Sequence, residues 1–123
     1  QYSDALPVFT KTLELSSNPA HWVWFEYTIT LTALKKYEKV NEIIEKALKT
    51  KEAGTQNTIL ILNQAAIAIY ENKTKIAKEK CKKAKSRTPN FDLEKNLKMI
   101  SDTVDKDFYN NFFAAVKSAC DLN

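Results

Sequence analysis

The sequence predicts an all-α fold of stacked antiparallel helical hairpins, about seven helices in a single domain of 123 residues. Three observations predict it. The chain holds one glycine and three prolines, and sheets or long loops need more turn residues than that. Apolar residues recur at helical spacing in nearly every segment. Finally, Ala5-x3-Phe9, Val40-x3-Ile44 and Ala77-x3-Cys81 head three similar units, 35 and 37 residues apart. Self-similarity at such a period marks helical hairpins that bury a shared core by stacking.

The elements follow in order. Residues 2–15 carry Ala5, Leu6, Phe9 and Leu13 on one stripe. Pro7 fits there in the first turn, where its missing N–H costs nothing, with Ser3 or Asp4 as the cap. "SSNPA" breaks the chain, and "AHWVWFEYTITLTALKK" follows. Its β-branched content suits a strand, but a run of this length without a turn residue favours a helix. Residues 37–51 place Val40, Ile43, Ile44, Ala47 and Leu48 at helical spacing, and Gly54 suits a left-handed helix end. Residues 58–71 form the next helix. Residues 76–85 form another, on the narrow stripe Ala77, Cys81 and Ala84, and "TPNFD" is a stop followed by a cap. Leu93, Leu97, Ile100 and Val104 make one further stripe. Phe108, Phe112, Val116 and Cys120 make the last, with Tyr109 and Phe113 beside it and "DKD" at 105–107 as the divide.

Composition excludes several kinds of chemistry. One glycine leaves no Gly-rich phosphate loop. His21 is the one histidine and reads as a surface residue at a helix start. Cys81 and Cys120 belong to no CxxC pair, so neither a metal site nor a cofactor is expected. Two cysteines so far apart read as reduced thiols in a cytoplasmic protein. No apolar run is long enough to span a membrane. "NKT" at 72–74 spells an N-glycosylation sequon, which a cytoplasmic setting discounts. No nucleophile–base pair is evident, so an enzyme is not expected.

The units "YSDALPVFTKTLELSSNPA", "KYEKVNEIIEKALKTKE" and "KTKIAKEKCKKAKSRTPN" resemble the latter half of the tetratricopeptide repeat, with Trp24 at its tryptophan position and Pro89 at its closing proline. The pattern is degenerate. Tyr27 and Thr28 replace its Leu-Gly pair, Leu31 its tyrosine, and Ser17 and Glu52 its proline; in the next unit Ile61, Gln64, Ala65 and Ala68 fill the four positions. The resemblance implies a right-handed superhelix. Residues 1–18 would be the second helix of a truncated or degenerate repeat. Residues 20–52 and 56–89 would be repeats, and residues 92–123 capping helices. It also implies a non-catalytic scaffold or adaptor, whose concave groove is lined by the first helix of each hairpin and takes a partner peptide or helix.

Two candidate surfaces result. The groove line would be Trp22, Phe25 and Ile29 with Ile59, Leu62, Asn63 and Ala66. Some tetratricopeptide proteins hold a terminal carboxylate in a lysine–asparagine–arginine clamp, but Phe25, Glu26, Ile29 and Ile59 do not suit one, and Asn63 alone does. The aromatic segment 108–113 is expected to stack on the 58–87 hairpin. The alternative surface is the lysine helix of 73–87, with Lys78, Lys82, Lys83, Lys85 and Arg87, which would meet RNA or an acidic or phosphate-rich partner. Its eight basic residues stand against one acid, Glu79, and the bland counterpart is a solvated outer face. No aromatic interleaves the lysines, so base stacking has no platform.

Overall fold

The computed structural model describes residues 21–49, 55–87, 92–101 and 104–121. The predicted helix at 2–15, the Gly54 helix end and Pro89 lie outside the described residues, as do the side chains of Trp22, Trp24 and Phe25. The fold is all-α. Among the described residues there are six helices and no strand: α1 (His21–Ala33), α2 (Tyr37–Leu48), α3 (Thr55–Tyr70), α4 (Thr74–Arg87), α5 (Leu93–Ser101) and α6 (Lys106–Cys120). They fall into two compact units, residues 1–52 and 53–123.

In the first unit α1 packs on α2. Helix α1 is rich in β-branched residues, and the structure explains why it tolerates them. Thr28, Thr30 and Thr32 are buried beside Tyr27, Ile29 and Leu31. The Thr32 hydroxyl donates to the Thr28 carbonyl one turn back at 2.7 Å, so that polar group enters the core already satisfied. Helix α2 is amphipathic. Val40, Ile44 and Ala47 face inward, while Glu38, Lys39, Glu42 and Lys46 remain exposed.

In the second unit α3 is the centre, packed against α4, α5 and α6. Every residue from Thr58 to Ala68 is buried, as suits a helix that is apolar on nearly all sides. Helix α4 turns the stripe Ala77, Cys81 and Ala84 inward, and these small residues let it approach α3 closely. Ala47, Ala65, Ala77 and Ala84 are all fully buried. Asp105 divides α5 from α6, as predicted. Its carboxylate accepts the Phe108 N–H at 2.9 Å and caps α6. Asp92 caps α5 in the same way, through the Lys95 N–H at 3.0 Å. Phe112, Ala115, Val116 and Ala119 form the buried side of α6, which packs on both α3 and α4. The aromatic segment thus stacks on the preceding hairpin, and the Phe108 and Phe112 rings lie 5.7 Å apart.

One expectation is corrected. Cys81 and Cys120 are not two thiols but a disulfide, with Cα atoms 5.2 Å apart. The cause is helical geometry. Cys81 lies on the inner stripe of α4, Cys120 lies one turn beyond Val116 on the inner stripe of α6, and the two helices pack together.

The hairpin turns hold a regularity that the residues hide. Lys35 and Asn72 are both left-handed, with φ of 61° and 59°. Around Lys35, the N–H of Lys35 donates to the Thr32 carbonyl and that of Lys36 to Leu31; around Asn72, that of Asn72 donates to Ile69 and that of Lys73 to Ala68. Both are Schellman closures, which satisfy the last carbonyls of a helix. Every donor and acceptor of the second turn stands 37 residues after its counterpart in the first, the same offset that separates Val40 from Ala77.

Candidate protein-interaction surface

Of the predicted groove residues, Ile29, Ile59, Leu62, Asn63 and Ala66 are all buried. Helices α5 and α6 fold back along α3, and α3 is apolar enough to need cover on every side. As they stand, these five residues are buried in the chain itself. The side chains of Trp22 and Phe25 lie outside the described residues. Asn63, the one residue suited to a carboxylate clamp, is buried with the rest.

The predicted basic residues behave differently. Lys78, Lys82, Lys83, Lys85 and Arg87 are exposed along α4, together with Lys75. Their placement follows from the inward stripe, because a helix that buries Ala77, Cys81 and Ala84 must show its other positions to solvent. Glu79 is the one acid on the helix, and no aromatic residue stands on it. Among the described residues Ile76, 43% exposed, is the one exposed large apolar side chain. Lys73, just before the helix, lies 3.6 Å from Glu71, a surface pair worth little to stability.

A second feature is a shallow cleft of about 420 Å³ lined by Asp92, Glu94, Lys95, Lys98 and Tyr109. Partial burial raises the Tyr109 hydroxyl above the usual phenol range, and the nearby Glu94 carboxylate adds to the rise. The hydroxyl therefore stays protonated at neutral pH and donates rather than acting as a base. A wall of charges of both signs, open to water, lacks the enclosed apolar lining of a small-molecule site. Among the described residues no group of three or more His, Cys, Asp or Glu side chains is placed to hold a metal ion. None of the described helices is long and apolar enough to cross a membrane.

Sequence reasoning missed the disulfide and the paired left-handed turns. The signal for the disulfide was present: each cysteine extends the inner stripe of its helix. The turns carry a lysine and an asparagine where glycine is usual, so composition concealed them. Among the described residues the geometry defines an all-α protein with two helical hairpins closed by the same kind of turn and an exposed basic helix, α4. No protein-family model, no curated protein and no solved structure matches the chain.

Proposed function

We propose that this chain is a non-catalytic protein-interaction module of the tetratricopeptide-like kind, and that the face it offers is the basic side of α4, which meets an acidic protein segment. The observation that carries this is the contrast between the two candidate surfaces: the groove residues Ile29, Ile59, Leu62, Asn63 and Ala66 are buried, whereas Lys78, Lys82, Lys83, Lys85 and Arg87 are exposed. The 37-residue offset shared by both hairpin turns supports a repeated helical hairpin.

Two features favour an acidic protein over nucleic acid. The face has lysines and one arginine, with no aromatic residue for bases to stack on. A disulfide also suits compartments outside the cytosol, where RNA-binding domains seldom work. From Lys75 to Arg87 the face runs about 18 Å at 1.5 Å per residue. An extended segment of about five or six residues matches that length.

The test uses a labelled six-residue glutamate-rich peptide and an oligouridylate of equal charge, each titrated against the chain across a salt series. The expected result is peptide binding that weakens with salt, as screening of exposed charges requires. Affinity should drop at least about tenfold, some 1.4 kcal/mol, in a Lys78→Glu, Lys82→Glu, Lys85→Glu variant. Preference for the oligouridylate would move the reading to nucleic acid. Equal peptide binding by the folded triple variant would refute the basic face.

A further inference from the structure

We infer that Asn72 is an N-glycosylation site and that the chain matures in an oxidising secretory lumen. Asn72-Lys73-Thr74 is the one Asn-x-Ser/Thr triplet in the 123 residues. In a cytoplasmic chain such a triplet means nothing. Two structural observations change its standing.

The first is the turn. A glycan attached there must leave the fold undisturbed, and residues 71–76 are all exposed. Asn72 occupies the left-handed position of the α3–α4 closure. The backbone N–H of Asn72 is held by the Ile69 carbonyl at 3.0 Å, so the closure does not depend on the side-chain amide that a glycan would take. The second observation is independent and lies elsewhere in the unit. The Cys81–Cys120 disulfide ties α4 to α6, and such bonds persist in oxidising compartments, of which the secretory lumen is also where sequons are read.

The chemistry balances with one co-reactant, an oligosaccharide carried on a polyprenyl diphosphate. The Asn72 Nδ2 attacks the anomeric carbon of the sugar. A C–N bond forms, the carbon–oxygen bond to the diphosphate breaks, the polyprenyl diphosphate leaves, and the amide nitrogen gives up a proton. Thr74, the exposed first residue of α4, supplies the hydroxyl the triplet requires.

The chain contains its own control. Lys35 has the same backbone conformation at the equivalent turn but no sequon. The full chain is translated behind a cleavable signal peptide in the presence of microsomes. Three variants are run alongside it: Asn72→Gln, Thr74→Ala, and one carrying Lys35→Asn and Tyr37→Thr as a second sequon. The expected result is one upward step in apparent mass for the parent chain, removed by peptide-N-glycosidase with conversion of Asn72 to aspartate. Both single variants should lack the step, and the double variant should show two. A parent chain left unmodified while the engineered turn is modified overturns the site. Two thiols open to alkylation without reductant, in the chain isolated from its own source, overturn the compartment. Neither outcome depends on an acidic partner.

Discussion

Removing the Cys81–Cys120 bond should cost the chain a large part of its stability. The bond closes a loop across 39 residues of sequence separation. In the chain-entropy treatment a loop of this size restricts the unfolded ensemble by about 4 kcal/mol, between ~3 for a 15-residue loop and ~4.7 for a 100-residue one. Against the ~5–15 kcal/mol that holds a small domain together, that is a large share. It corresponds to a loss of roughly 10–20 °C in melting temperature for a domain of this size. The cleanest perturbation is Cys120→Ala. Cys120 is only half-buried, and the partner left behind, Cys81, packs as a small apolar side chain. The assay is urea unfolding followed by helical circular dichroism, with and without reductant, on the parent chain, Cys120→Ala and the double Cys81→Ala, Cys120→Ala variant. The parent should fall to the level of the variants when reduced, and the double variant should ignore the reductant. A parent midpoint that reductant leaves in place would refute the reasoning, as would two thiols that titrate in the untreated protein.

Three further outcomes follow from the packing. Leu62→Ala should cost about 2–5 kcal/mol in the same urea assay, because Leu62 is fully buried; an unchanged midpoint would restore it to an open groove. Ala77→Leu should overpack the contact of α4 with its neighbours and cost roughly 1–3 kcal/mol, and an unchanged midpoint would mean that the close approach is not there. Lys35→Gly should raise stability by about 0.5–1 kcal/mol, since glycine takes a left-handed helix end without a Cβ penalty. Loss of stability in that variant would show that the Lys35 side chain contributes more than its backbone costs.

Much of the fold was legible because helical burial is periodic. Val40, Ile44 and Ala47 on one helix, and Ala77, Cys81 and Ala84 on another, mark their inner faces without reference to any partner. The split at Asp105 was legible because a capping carboxylate acts on residues three positions away. The site was harder for a physical reason. Whether Ile59 or Leu62 lines a groove or fills a core depends on what lies across from it, and periodicity along α3 is silent on that. A helix apolar on nearly all sides is equally compatible with both until α5 and α6 are placed. The cysteines fail for the same reason, since their meeting depends on α4 packing against α6. The α4 lysines were legible as exposed because their solvent face follows from their own helix alone.

The two left-handed turns also show where the repeat stops. Advancing 37 residues from Lys35 reaches Asn72, and both end a helix. The same step from Asn72 reaches Tyr109, which lies inside α6 rather than at a turn. The 37-residue offset therefore does not extend into α6. Asp105 caps the start of α6, and α5 has only 9 residues. Leu97 is the one residue of α5 found fully buried among those described. A covalent tie adds to the packing of α6 on α3 and α4. The disulfide supplies it where the repeat pattern ends, joining α6 to α4, the last helix within that pattern.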